Sequence, residues 1–329
     1  MSSRPDDRRP AASPWWPPLP VDEWAPTRDT LQLWMQVVGK VRLTHSPLAN
    51  HWWNVPLYVT SRGLTTSLMW APDGRGFQID FDFVDHQLRI DAAGAVRTVS
   101  LEPRSVSSFY SEVVERLGDL QIDPNIWPVP VEIPGAIPFD RDEIHAAYDR
   151  EHVERFWRLL VTTSHVLHEF RANFLGKARP VHLFWGALDL ATTRFSGRPA
   201  PPHTAGAPNC GPHVMLEAYS HEVSSAGYWP GATSEGAFYS YAYPEPAGYS
   251  DVAVRPVDAA YDQSLGEFVL PYEAVRTAPD PRRMLLEFLD STYAAAADRG
   301  GWDRPALERD LPDWTRDGVA AHGPLSHRT

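Results

Sequence analysis

FQIDFDF, residues 77–83, decides the fold class: Phe77, Ile79, Phe81 and Phe83 alternate with Gln78, Asp80 and Asp82. Successive side chains of a strand point to opposite faces, so this spacing predicts a strand with one buried face and one face of carboxylates. With His86 just beyond, Asp80 and Asp82 offer either a carboxylate pair with a base or a soluble sheet edge. Upstream, Val55 to Thr60 and Leu64 to Trp70 flank Ser61-Arg62-Gly63 as a hairpin, and Leu88 to Asp91 and Val96 to Leu101 flank Ala92-Ala93-Gly94-Ala95. Helical spacing brackets these strands. Leu31, Trp34, Met35, Val38 and Val41 predict an amphipathic helix over 27–44 with Thr27 as cap, and Val106, Phe109, Val113 and Leu117 predict one from Ser105 to about Leu120.

The second half runs in the same order. A long helix is expected from about Glu151 to Leu175, ending at Gly176. Strands follow at 181–185, 188–193, 238–243 and 267–270, then a helix from about Pro281 to Ala297. NVPLYVTSRGLTTS at 54–67 lies opposite PVHLFWGALDLATTR at 180–194 when one half is laid on the other. The expectation is an α+β protein made of two diverged helix, antiparallel strands, helix repeats packed as one pseudo-two-fold unit, with a cleft where they meet. The corresponding division is a tail over 1–20, a first repeat over 21–134, a second over 135–302 and a tail over 303–329.

The 329 residues carry a formal charge of −12 and no basic cluster, which argues against a nucleic-acid partner. No stretch reaches the roughly 20 apolar residues that span a bilayer, and the N-terminal segment lacks a signal-peptide apolar region, so no membrane partner and a cytoplasmic location are expected. A single cysteine, Cys210, cannot form an internal disulfide, in keeping with that compartment. There is no GxGxxG after a strand, no GxxxxGK[ST] and no GxSxG, which disfavours dinucleotide, P-loop and nucleophile-elbow chemistry. Lys40 and Lys177 are the only lysines, whereas tryptophan is abundant at 13.

Polar and aromatic residues gather at strand ends and loops, where pockets usually form. His51, Trp52 and Trp53 follow one another at a helix-to-strand junction, Trp185 lies where two strands meet, and Trp229 falls in a glycine-bounded loop. Indole offers an apolar face and one donor, suited either to closing a core or to lining a pocket. Around APPHTAGAPNCGPHVMLEAYSHEVSS at 200–225, a helix opened by Pro212 would put His213, Glu217 and His221 on one face. Two histidines and a carboxylate form a common ligand set for Fe(II) or Zn, while hydrogen bonding within a loop is the plainer use. HVLHE at 165–169 lacks the HExxH order and reads as a solvated helix face. Arg104 and Arg194, near sheet ends, could hold a carboxylate or phosphate or pair with structural acids.

The strings NHWWNVPLYVTSRGLTTS, FQIDFDFVDH, PVHLFWGALDLATTRFSGR, EAYSHEVSSAGYWPG and YAYPEPAGY resemble an uncharacterised bacterial family, the domain of unknown function 5996, over about residues 15–302. That resemblance supplies no activity and no catalytic residue. Its strings include His51, Trp52, Trp53, His86, His182, Trp185, Asp189, Arg194, His221 and Glu222, and leave out His165, His168 and His213. The resulting expectation is a small-molecule enzyme with an aromatic pocket between the two repeats. His51, His182, His221 and Glu222 are its candidate catalytic groups, and Trp52, Trp53, Trp185, Arg194 and Trp229 its candidate substrate-binding groups. His203, His221 and Glu222 are the candidate ligands of a divalent transition metal. The competing expectation is a non-catalytic module for ligand or protein binding, using tryptophans as interface anchors.

Overall fold

The computed structural model describes residues 13–231 and 233–309. The first half consists of helix α1 (Val21–His45), a 3-10 turn at Asn50–Trp52, strands β1 (Tyr58–Val59), β2 (Gly63–Thr65), β3 (Met69–Trp70), β4 (Gly76–Asp82), β5 (Gln87–Ala92) and β6 (Ala95–Ser100), and helix α2 (Val106–Asp119). The second has α3 (Arg150–Ala172), β7 (His182–Phe184), β8 (Asp189–Pro199), α4 (Pro212–Ala218), β9 (His221–Trp229), β10 (Ala237–Tyr243), β11 (Ala260–Asp262), β12 (Glu267–Pro271), α5 (Tyr272–Arg276), α6 (Pro281–Arg299) and α7 (Arg304–Leu307). All strand pairs are antiparallel, in two sheets ordered β1-β2-β4-β5-β6, with β3 also on β4, and β11-β12-β10-β9-β8-β7. The protein is α+β. The sheets touch where Leu57 and Leu183 exchange backbone hydrogen bonds of 2.9 Å in both directions, at the first strands of the two halves.

β4 alternates as its sequence requires, with Phe77, Ile79 and Phe81 in the core and Gln78, Asp80 and Asp82 only half-buried. Asp82 pairs with Arg62 at 2.6 Å and accepts from the amides of Val84 and Asp85, while His86 meets Tyr148 Oη at 2.9 Å. These groups hold a turn together and are engaged there. α2 has Ser105 as its cap, accepting from Ser108 N. α1 differs from expectation. It begins at Val21, with Thr27 inside it, and residues 33–42 are buried without a break. It is a central helix enclosed on every side rather than an amphipathic one, because helices, the first sheet and the cavity wall all pack against it.

The second sheet separates two environments. α3 and α6 pack on one face, against β8, β9 and β10. The opposite face carries Asp189, Thr193 and Phe195 of β8, Tyr239 and Tyr241 of β10 and Glu267 of β12, and opens on a cavity. The tail expectations need correction at both ends. Trp16 and Leu19 are buried, and Tyr272 Oη donates to Pro17 O at 2.9 Å. α7 docks on the end of α3, with Leu175 N donating to Leu307 O at 2.7 Å. Residues 1–12 and 310–329, the remainder of the expected tails, lie outside the described residues. Among the described residues no helix is long and apolar enough to cross a membrane.

Candidate functional site

A cavity of about 930 Å³ lies between the open face of the second sheet, α1, the turn at 50–55, the segment 126–132 and α4. Trp52, Trp53, Trp185 and Trp229, four residues singled out from sequence, all line it, together with His51. Trp229 is the last residue of β9, not part of a loop. Trp185 is fixed by its indole N–H donating to Val55 O at 2.9 Å. Gly39 of α1 makes room for it: a Cβ there would stand 2.2 Å from the indole nitrogen.

The 50–53 turn is held by α4. His51 and Trp52 both adopt left-handed backbone, with φ of 57° and 61°, a conformation costly for residues with a Cβ that persists where its surroundings enforce it. Here His51 N donates to Glu217 Oε1 at 3.2 Å, and the Trp52 indole donates to Val214 O at 3.1 Å. His51 Nδ1 lies 3.0 Å from Glu217 O, which fixes Nδ1 as the protonated nitrogen and leaves Nε2 to accept from Lys177 Nζ at 2.6 Å. Burial first, and the Lys177 charge next, hold the imidazole below its usual range. The Lys177 ammonium is also lowered by burial, lying 5.1 Å from the Trp53 ring and 5.0 Å from Phe195.

The deeper chemistry was not among the residues singled out. Tyr239 Oη donates to Asp189 Oδ2 at 2.5 Å. The two meet across Gly227, which pairs with Tyr239 on one side and Ala191 on the other. A Cβ at Gly227 would lie 2.9 Å from Tyr239 Oη and 2.4 Å from Leu190 O, so glycine keeps this contact open. Burial pushes the Asp189 carboxyl up, against the opposing pull of Tyr239 and Arg179. Burial, then the charge of Asp189, pushes both Glu132 and Glu267 up to about 7. Glu132 is an exposed residue, but its carboxylate rests on the Gly186 backbone at the cavity wall, and its φ of 61° is again left-handed. Tyr219 and Tyr241 share a hydrogen bond of 2.8 Å beside them. Arg179 lies 4.7 Å from the Phe184 ring, with a buried Nε that has no hydrogen-bond partner among the described residues.

The cavity therefore brings together aromatic walls and carboxyl groups poised to exchange protons near neutrality, the state general acid–base work requires. The Asp189–Tyr239 pair came to light only when the backbone placed strands β8 and β10 two apart in one sheet. Their one sequence signal was Asp189's place in a family string.

Other expected residues fall elsewhere. Arg194 points from β8 to the helical side, its guanidinium 3.5 Å from the Phe170 ring and 4.2 Å from Tyr293. On a strand, neighbours of the cavity-facing Thr193 and Phe195 must face away, so Arg194 cannot meet a ligand in this cavity. His182 is fully buried beside Tyr58 Oη at 3.3 Å, and burial drives it down to about 2, so it stays neutral and outside the cavity wall.

The expected metal set is not assembled. α4 ends at Ala218, and His221 opens β9, which breaks the helical face expected for His213, Glu217 and His221. His203 stacks on Tyr219 at 4.4 Å, and His221 Nδ1 meets Ser220 Oγ at 3.0 Å. Glu222 is taken by Arg198 at 2.7 Å and Ser196 at 2.8 Å. Among the described residues, no group of three or more His, Cys, Asp or Glu is placed to hold a metal ion. His221 does approach the site, its ring 5.8 Å from that of His51.

Residues 16–309 match the family of unknown function DUF5996. The chain belongs to that family. The match includes every wall of the cavity, from Lys40 to Glu267, so the site of this DUF5996 protein lies wholly within the family region. No curated protein and no solved structure matches the chain.

Proposed function

We propose that this DUF5996 protein is a small-molecule enzyme that works by general acid–base chemistry in the aromatic cavity. The observation that carries this reading is the convergence of Asp189, Glu267 and Glu132 in one cavity, with Tyr239 bonded to Asp189 at 2.5 Å. Carboxyl groups raised toward neutrality by burial cost stability, and active sites are where such a cost is commonly found. Asp189, held by the Tyr239 hydroxyl and near Arg179, serves as the base. Glu267 and Glu132, each raised to about 7, serve as proton donors. Trp52, Trp53, Trp185 and Trp229 enclose the substrate, and His51, held by Glu217 and Lys177, contributes at the edge. The tryptophans converge inside a cavity rather than forming an outer patch, which favours a pocket over a partner-binding surface.

The test is untargeted mass spectrometry of a metabolite extract incubated with the protein and, in parallel, with Asp189→Asn. A substrate mass that falls while a product mass rises with the native protein alone supports the enzyme. Equal depletion by both proteins without product would mean a binding protein instead.

A further inference from the structure

The cavity wall carries charged groups of both signs. Asp189 acts electrostatically on both Glu132 and Glu267, and Arg179 acts on Asp189. Neither glutamate carboxylate has an ion pair or hydrogen bond among the described residues. Lys40, on α1, lines the same cavity. The residue is only 5% exposed, and its ammonium has no hydrogen-bond or ion-pair partner among the described residues. It is set 5.0 Å from the Trp127 ring and 5.9 Å from Phe139. Burial lowers it to about 8. Cys210 lies within electrostatic reach of both Glu132 and Lys40.

Buried charges are normally paired, because an unpaired one gives up its hydration without return. Here a cation without an ion pair and several carboxyl groups line one cavity together with tryptophans. We propose, building on the ligand-site reading, that the cavity takes a small zwitterion, with an ammonium end at Asp189, Glu132 and Glu267, an anionic end at Lys40, and an apolar body against the indoles. The body gains from the aromatic walls, and the ammonium also from their negative faces. The raised glutamates are the resting form of this arrangement: each keeps a proton in place of a counter-ion, and an arriving ammonium would displace it. Binding the ammonium end therefore releases protons. An anion drawn to Lys40 favours the charged amine and takes one up.

The experiment measures quenching of tryptophan fluorescence and proton exchange in weakly buffered solution. The probes are ω-amino acids of increasing chain length, such as 6-aminohexanoate, 8-aminooctanoate and 11-aminoundecanoate, set against octylamine, octanoate and octanol. One ω-amino acid should bind at least about tenfold more tightly than octylamine or octanoate, the ratio expected from a single added charge contact in a dry site. Octylamine should release protons on binding, and octanoate should take them up. Lys40→Gln should reduce that amino acid to the affinity of octylamine and leave octylamine unchanged, while Lys40→Arg should keep the preference. Octanol or octanoate binding as tightly as the amino acid would overturn the proposal while leaving the cavity a ligand site. Binding of none of the probes would overturn it also, whereas the enzyme reading is judged separately by turnover with and without Asp189.

Discussion

Glu267→Gln should stabilise the protein in alkaline solution and leave it unchanged in acid. In the fold the Glu267 carboxyl stands at about 7 against an ordinary 4.5, first because it is buried and then because Asp189 is close. A carboxyl raised by folding binds its proton more tightly folded than unfolded. Its contribution is fully present below the unfolded value and is lost as pH rises through 7. That rise from 4.5 to about 7 corresponds to about 3 kcal/mol at most. Glu267 faces a cavity that admits water, and screening there brings the expectation down to about 1–2 kcal/mol. Glutamine keeps the shape and carries no ionisation cost, so the variant should gain that amount above about pH 8 and nothing below about pH 4. For a chain of this size that is a Tm higher by about 2–5 °C. Thermal melts of both proteins across this range, followed by near-UV circular dichroism, make the comparison. A Tm difference that stays constant with pH, or a variant that melts lower in alkali, would show that Glu267 is not held protonated by the cavity.

Further expectations concern the walls and the residues that left the site. Gly39→Ala places a methyl against the Trp185 indole, so it should cost about 1–3 kcal/mol by overpacking and shift tryptophan emission, as denaturant unfolding followed by fluorescence would reveal. Arg194→Ala removes a guanidinium enclosed by Phe170, Phe174 and Tyr293 and should cost about 2–4 kcal/mol, while probe binding in the cavity stays unchanged. A variant that binds the probes differently but melts normally would return Arg194 to the site. The His182 ring should remain neutral between about pH 4 and 8, with nitrogen chemical shifts flat across the titration. Elemental analysis should find no stoichiometric transition metal dependent on His203, His221 or Glu222, because those side chains are engaged with Tyr219, Ser220 and Arg198.

Local patterns were legible wherever they set the fold. The alternation of Phe77, Ile79, Phe81 and Phe83 needs only a single buried face, and Val106, Phe109, Val113 and Leu117 need only one apolar stripe. The family strings likewise marked Trp52, Trp53, Trp185 and Trp229, all of which line the cavity. β9 was harder to see. It carries Ser224, Ser225, Ala226 and Gly227 in its centre, small residues without alternation, because a central strand that supports Tyr239 cannot also present large side chains.

By itself, the sequence determined the α+β class, the strands and helices with strong periodicity, and the family to which the chain belongs. Which ionisable groups share a cavity was decided by tertiary structure alone. Asp189 meets Tyr239 because β8 and β10 flank β9, 50 residues apart along the chain, and Arg194 leaves the site because a strand turns each successive side chain to the other face. Charge and proton affinity depend on what surrounds a group in space, and sequence distance carries almost no information about that once strands pair across the chain.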